Sequence, residues 1–144
     1  EADNSRELID ALCQTVVILS GDDEARLAYA GVTTDPRLAK RDLLVIDVGG
    51  GSTEFIVGER FESLLRESLN VGCVAFSRQF FPDGRITAAR YSQAYTAARL
   101  ELMNIEQAIQ RLGWSEAVGA SSSSTLASSS SNDLACAAAN ASTT

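Results

Sequence analysis

A glycine-rich turn between two carboxylates is the part of this chain best suited to chemistry. Asp47 precedes the glycine run 49–51, and Ser52, Thr53 and Glu54 follow it. Because glycine has no Cβ, backbone N–H groups can approach an anion at such a turn. The two hydroxyl groups add further donors, and a carboxylate on either side can serve a metal ion. The pattern therefore predicts a phosphate-binding turn beside a metal-binding carboxylate.

The chain contains no histidine, and this narrows the chemistry that it can perform. Ser-His-Asp and Cys-His catalysis and histidine-based zinc sites are excluded. Any general base must be a carboxylate or, less readily, a lysine or tyrosine. The three cysteines, Cys13, Cys73 and Cys136, have no metal-ligand spacing. We interpret them as reduced thiols, which predicts a cytoplasmic protein.

Length and charge exclude some classes of partner. The 144 residues, 45% of them hydrophobic, suffice for one modest domain with a core. A net charge of −7 argues against a basic nucleic-acid binder. No apolar run approaches the roughly 20 residues of a membrane span, so we expect neither nucleic acid nor a membrane as a partner. Because the sequence begins at Glu1 without a methionine, we expect an internal piece of a longer protein.

Three acidic residues follow Ser20 and Gly21 at a predicted helix start. Ser20 and Asp23 have the spacing of a capping box, and the helix continues toward Gly31. Negative charge in the first turn of a helix is stabilised by the helix dipole. From the residues alone, capping and solvation are therefore a better explanation of Asp22, Asp23 and Glu24 than catalysis.

These residues must be positioned by a mixture of strands and helices. Apolar runs at 43–46 and 55–57 predict a hairpin around the glycines, in which alternation lets Asp47 project into a site. Further strands are predicted at 15–19, 61–69 and 114–120, and further helices at about 4–13, 73–81 and 87–112. Residues 33–41 are predicted to form a loop, and 82–84 a turn.

The longest predicted helix, 87–112, carries an apolar stripe that we expect to pack in the core. The stripe comprises Tyr91, Tyr95, Ala98, Leu102, Ile105, Ile109 and Leu112. It lasts only about three heptads, which favours core packing over a coiled coil. Beyond residue 120 the composition changes to serine and alanine, and 121–144 is predicted to be a tail for which no element is assigned.

Four segments together resemble a known family. They are 20–32 (SGDDEARLAYAGV), 43–59 (LLVIDVGGGSTEFIVGE), 69–81 (LNVGCVAFSRQFF) and 111–121 (RLGWSEAVGAS). In this order and spacing they resemble the exopolyphosphatase / guanosine pentaphosphate phosphohydrolase family. The glycine motif alone is also typical of actin-like ATPases and sugar kinases, but the set of four is much more specific.

The resemblance implies both a fold and an activity. The fold would be α/β: a ribonuclease H-like lobe of the actin-like ATPase and sugar-kinase superfamily, with a mixed sheet and flanking helices. Residues 1–120 would belong to the second lobe of a larger two-lobed enzyme. Such enzymes use Mg²⁺ to hydrolyse the terminal phosphoanhydride of inorganic polyphosphate, guanosine pentaphosphate or both. Since half of the cleft would be exposed in this chain, we also expect a homodimer.

The resemblance also assigns roles to individual residues. The pattern S-G-x-E-E-A-R places the water-activating carboxylate on Glu24, with Asp23 in place of the preceding glutamate. The pattern D-x-G-G-G-S-T-E places metal binding on Asp47 and Glu54. The residues that would cradle phosphate are Gly49, Gly50, Gly51, Ser52 and Thr53.

Two departures from the family pattern keep alternatives open. The second phosphate loop of the family, G-A-S-G-T, reads G-A-S-S-S at 119–123, and nothing before Asn4 supplies the D-x-G-S-N-S loop of a first lobe. One alternative is an ATP-dependent kinase or ATPase of the same superfamily. The other is an inactive lobe that only binds phosphate.

Overall fold

The computed structural model describes residues 18–121 and 124–130. Within this part the chain forms three helices and five strands. The helices are α1 (Gly21–Val32), α2 (Cys73–Phe80) and α3 (Ala88–Leu112). The strands are β1 (Asp42–Val48), β2 (Thr53–Glu59), β3 (Glu62–Leu69), β4 (Glu116–Ser121) and β5 (Ser124–Ser130).

The strands form one mixed sheet in the order β3-β2-β1-β4-β5. β1 pairs with β2 and β2 with β3 as antiparallel hairpins, whereas β1 and β4 are parallel. The parallel pair requires a long crossover, which α2 and α3 provide. β5 returns antiparallel to β4, within the serine-rich segment for which the sequence predicted no element.

Helix α1 covers one face of the sheet. Alternation along β1 and β2 turns Leu43, Val45 and Ile56 toward this face. There they pack with residues of α1 in a buried cluster. The cluster comprises Ala25, Tyr29, Val32, Leu38, Leu43, Val45, Ile56 and Val118. Because Asp47 lies two residues beyond Val45, it projects from the face that α1 covers.

Helix α3 covers the opposite face, but only with part of its length. Ile105 and Ile109 are buried in the second apolar cluster, against Leu44 and Val57 among others. The expectation that the whole stripe packs in the core is wrong, because Tyr91 and Tyr95 are 60% and 48% exposed. A 25-residue helix is about 37 Å long at its usual rise per residue. A seven-residue strand such as β1 spans only about 23 Å, so the helix extends beyond the sheet.

Most element boundaries agree with the sequence predictions to within a few residues. Residues 33–41 form turns, and α3 begins after its predicted cap, Thr87, and ends before Gly113. The predicted helix 4–13 and residues 15–17 of the predicted strand 15–19 lie outside the described residues. Ile18 and Leu19, which complete that strand, are in neither helix nor strand. No helix in the described part of the chain is long and apolar enough to cross a membrane.

Candidate active site

The glycine turn joins β1 to β2 and is closed by its own backbone. The N–H of Gly49 donates to the carbonyl of Ser52 at 2.9 Å. The hydroxyl of Thr53, a buried residue, donates to the carbonyl of Val71, just before α2. Thr53 therefore anchors the turn to the start of α2, while the turn itself stays at the edge of the sheet.

Helix α2 determines the direction in which the peptide groups of the turn point. The first three N–H groups of α2, at 73–75, donate to the carbonyls of Gly49 and Gly50 at 2.9–3.0 Å. No peptide bond in the described residues is cis. In a trans peptide the N–H points opposite to the preceding carbonyl, so the N–H groups of Gly50 and Gly51 point away from α2. Within the described residues neither group has an acceptor. They are therefore free to bind an anion.

Gly72 permits this close approach, a role that the sequence analysis did not identify. A Cβ at Gly72 would lie less than 3.0 Å from the carbonyl groups of Gly50 and Gly51, a separation that backbone atoms cannot accept. Gly72 is also the N-cap residue of α2 and has no capping side chain. Serine, threonine, aspartate or asparagine is usual at that position. A glycine there was the one available signal that the cap is supplied by another part of the chain.

Asp47 and Glu54 lie directly opposite each other on the paired strands. Cross-strand neighbours project from the same face of a sheet, with Cβ atoms about 5 Å apart, and here that face is the one covered by α1. The side chain of Glu54 is fully buried. Its Oε1 accepts hydrogen bonds from the hydroxyls of Ser52 at 2.7 Å and Ser68 at 2.8 Å. Its Oε2 is buried and has no hydrogen-bond partner among the described residues.

Ser68 is a second residue that the sequence analysis missed. It lies opposite Glu54 on β3, so that Ser68, Glu54 and Asp47 form a row across three strands. The alternation of residues along the predicted strand 61–69 could have placed Ser68 on one face. The pairing register that brings it to Glu54 is not visible in the sequence.

The first turn of α1 divides its three acidic residues between different roles. Asp23 takes part in the cap, since its N–H donates to the hydroxyl of Ser20. Asp22 accepts from Arg66 of β3 at 2.6 Å and so attaches the helix to the sheet. Glu24 has no hydrogen bond or ion pair from its carboxylate in the part of the chain that the structure describes. Capping and attachment to the sheet therefore explain Asp22 and Asp23. Glu24 is exposed in the same turn, where water and the helix dipole stabilise its charge, and no contact among the described residues gives its carboxylate a further role.

The charges of the three carboxylates act on one another. Loss of hydration raises the pKa of Glu24, and the charges of Glu54 and then Asp47 raise it further. Burial and the charge of Glu54 raise the pKa of Asp47. The ionised forms of Glu24 and Asp47 would therefore be more stable if a cation were bound beside them.

The donor set fits Mg²⁺ better than a metal held entirely by protein. The described residues contain no group of three or more side chains placed to hold a metal ion. Mg²⁺ is commonly bound by one or two carboxylates, with water and substrate phosphates as the remaining ligands. Asp47 and the unpartnered Oε2 of Glu54 offer such a pair beside the free N–H groups of the turn.

The end of β4 reaches the same site. Ala120 pairs with Asp47 in the parallel register, which places the start of the second predicted phosphate loop beside the carboxylates. Ser122 and Ser123, where the sequence departs from the family pattern, lie outside the described residues.

Comparison with known proteins gives consistent matches. The sequence model of the Ppx/GppA phosphatase family matches residues 4–136. A guanosine-5'-triphosphate,3'-diphosphate pyrophosphatase from Aeromonas hydrophila is 40% identical over 110 residues, which are 76% of this chain and 22% of that protein. A Haemophilus influenzae protein named provisionally as an exopolyphosphatase is 42% identical over 105 residues, which are 72% of this chain and 32% of that protein.

Among solved structures, an exopolyphosphatase from Cytophaga hutchinsonii matches with a TM-score of 0.69 at 24% sequence identity. The match covers 79% of this chain and 36% of that one. At this identity the likeness shows the fold. It confirms the predicted α/β class, a ribonuclease H-like lobe of the actin-like ATPase type with a mixed sheet and flanking helices.

Proposed function

The chain belongs to the Ppx/GppA phosphatase family, and we propose that the protein containing it hydrolyses the terminal phosphoanhydride of inorganic polyphosphate, guanosine pentaphosphate or both. One observation carries the proposal: a fully buried glutamate, Glu54, lies opposite Asp47 with one oxygen unpartnered among the described residues. Such a pair is costly without a cation. The free N–H groups of Gly50 and Gly51 lie beside it, where the phosphate that accompanies a cation would bind.

In this proposal each element of the site has one task. Of the five residues expected to cradle phosphate, Gly50 and Gly51 bind oxygens of the terminal phosphate through their N–H groups. The N–H of Gly49 and the hydroxyls of Ser52 and Thr53 donate within the protein and hold the turn in shape. Asp47 and Glu54 would hold Mg²⁺, which when bound neutralises the negative charge of the phosphates. Phosphoryl transfer depends mainly on such positioning and charge neutralisation.

Glu24 is the catalytic carboxylate of the proposal. It orients a water molecule toward the terminal phosphorus and accepts a proton as the new P–O bond forms. The bond to the bridging oxygen breaks, and the shortened phosphate chain leaves with the bonding electrons. A general base works best when its pKa is near the operating pH. The raised pKa of Glu24 is a shift in that direction.

The chain spans 22% and 32% of the two curated relatives compared above. We therefore propose that residues 1–120 form part of the second lobe of a two-lobed enzyme and that the isolated chain has little or no activity. A cytoplasmic location and a homodimer belong to the same proposal. Since the dimer is expected from the half of the cleft that is exposed in this chain, size-exclusion chromatography of the isolated chain tests it, and a monomer at high concentration would contradict it.

Phosphate release by the full-length protein tests the activity. We expect Mg²⁺-dependent release from polyphosphate, guanosine pentaphosphate or both, and only slow release from ATP. The isolated chain, assayed in parallel, should release little phosphate. Fast turnover of ATP without turnover of the other two substrates would contradict the proposal and favour a kinase or ATPase.

A further inference from the structure

We infer that Ser68 is a positioning residue for the reaction proposed above: its hydroxyl fixes one oxygen of Glu54 so that the other oxygen is presented to a divalent cation. The inference rests on the proposed function and extends it to a residue outside the glycine motif and outside the S-G-x-E-E-A-R pattern.

The hydrogen bonds of Glu54 are divided unequally between its two oxygens. Oε1 accepts from two hydroxyls, those of Ser52 and Ser68, whereas Oε2 is equally buried and has no partner among the described residues. A buried carboxylate normally has partners for both oxygens. The two serines therefore fix the rotation of the carboxylate and leave the lone pairs of Oε2 for a ligand that is not part of these residues.

The two serines that donate to Oε1 of Glu54 come from different parts of the chain. Ser52 belongs to the glycine turn, while Ser68 lies on the neighbouring strand, opposite Glu54 in the register. Both are neutral donors. A lysine or arginine at either place would supply the positive charge itself and would compete with a cation for the carboxylate. Hydroxyl donors orient Glu54 without compensating its charge.

Ser68 also contacts the helix that carries the proposed catalytic residue. A Cβ built at Gly21, the first residue of α1, would lie 2.9 Å from the Cβ of Ser68 and 3.0 Å from its Oγ. The start of α1 therefore packs directly on Ser68, and Glu24 follows three residues later. Ser68 thus links the orientation of Glu54 to the position of the helix that carries Glu24.

The test is Ser68→Ala in the full-length protein. Substitution of a residue that hydrogen-bonds to a metal-binding side chain typically weakens metal affinity by roughly 10–100-fold. We expect Mn²⁺ binding to the substrate-free protein, measured by electron paramagnetic resonance, to weaken about tenfold or more. The Mg²⁺ concentration for half-maximal activity should rise in parallel, while kcat at saturating Mg²⁺ and KM for the phosphate substrate change much less.

Ser115→Ala is the matched control. Ser115 also donates its hydroxyl, to the carbonyl of Asp42 at 3.0 Å, but at the opposite end of β1. We expect it to bind Mn²⁺ as the parent protein does. Ser68→Cys keeps the size of the side chain with a weaker donor, and it should give an intermediate affinity even if the alanine variant fails to fold.

The outcomes separate this inference from the proposed function. If the parent protein binds Mn²⁺ and releases phosphate but both Ser68 variants bind Mn²⁺ equally well, the inference is wrong and the proposed function stands. If kcat falls or KM rises with no change in cation affinity, Ser68 acts through α1 alone and the inference is also wrong. If the parent protein neither binds Mn²⁺ nor releases phosphate, the proposed function itself fails.

Discussion

The β1–β2 hairpin carries an acidic pair at each end, and the two pairs have opposite surroundings. Asp47 faces Glu54 beside the glycine turn, and Asp42 faces Glu59 at the far end. Glu54 is fully buried, whereas both members of the far pair are exposed, and Arg60 lies 3.9 Å from Glu59. The same two strands therefore present the same residue types twice, with both carboxylates exposed at the far end and one of them fully buried beside the turn.

The repulsion between opposed carboxylates costs more free energy of folding beside the turn than at the far end. Like charges on directly opposite strand positions destabilise a sheet by about 0.2–1 kcal/mol, and water and nearby arginines reduce that cost at the far end. At the turn, Glu54 is buried and Asp47 half-buried, so water screens this pair less. Loss of hydration, and then the charge of Glu54, raise the pKa of Asp47 and of Glu24. The turn end is thus arranged for a cation and the far end is not.

The largest expected effect is the loss of activity when the proposed base, Glu24, beside the turn end of the hairpin, is replaced. Glu24→Gln in the full-length protein keeps the shape of the side chain and removes its ability to accept a proton. We expect phosphate release to fall by about 10²–10⁴-fold, the usual contribution of a general base, with an unchanged circular dichroism spectrum. Glu59→Gln, at the far end, should retain full activity. Full activity of Glu24→Gln would contradict the assignment of Glu24 as the general base.

Glycine-to-alanine substitutions test the packing at each end of the hairpin. An added Cβ would lie less than 3.0 Å from the glycine turn at Gly72, and less than 3.0 Å from the ring of Tyr29 at Gly58. Overpacking typically costs about 1–3 kcal/mol, so both variants should unfold at lower denaturant concentration.

Only Gly72→Ala should also impair the site, because it displaces the peptide groups whose N–H groups are free to bind phosphate. We expect a raised KM for the phosphate substrate in Gly72→Ala and an unchanged KM in Gly58→Ala. Equal KM values would show that the contact between α2 and the turn is structural alone.

The sequence predicted the elements well because their signals are local. β-branched runs, the serine and threonine caps and the glycine after α3 lie within the elements that they define, and Ser20 and Thr87 do cap α1 and α3. The alternation of side chains along β1 also predicted that Asp47 could project into a site. The family resemblance supplied Glu24, which local reasoning alone assigned to capping.

The features that were missed depend on contacts between distant parts of the chain. Gly72 packs against Gly50 of the turn, and Ser68 donates a hydrogen bond to Glu54. Both contacts depend on the strand register and packing of the folded sheet, which the sequence does not show. The exposure of Tyr91 and Tyr95 likewise depends on how far α3 extends beyond the strands beneath it. The spacing of apolar residues within α3 does not show how long the neighbouring strands are, so the sequence could not predict which part of the helix is exposed.

Asparagine substitutions compare Asp42 and Asp47, the two aspartates near the ends of β1. Asp47→Asn removes the repulsion with Glu54, so in cation-free buffer we expect it to raise the free energy of unfolding by about 0.2–1 kcal/mol. Asp42→Asn should change the free energy of unfolding less, because its pair is screened by water. Saturating Mg²⁺ should stabilise the parent protein and Asp42→Asn but not Asp47→Asn. An equal gain from Mg²⁺ in all three would show that the cation binds elsewhere.

The smallest expected effect is the pH dependence of that same difference. The pKa of Asp47 is raised above its ordinary value of 3.8 in the folded protein, so the folded state binds this proton more tightly than the unfolded state. Its contribution to stability is therefore lost as pH rises from 3.8 through the raised pKa. The stability advantage of Asp47→Asn should be absent below that range, grow across it and be constant above it. Chemical denaturation in cation-free buffers measures the difference. An advantage independent of pH would mean that the two acidic pairs do not differ in the way their surroundings imply.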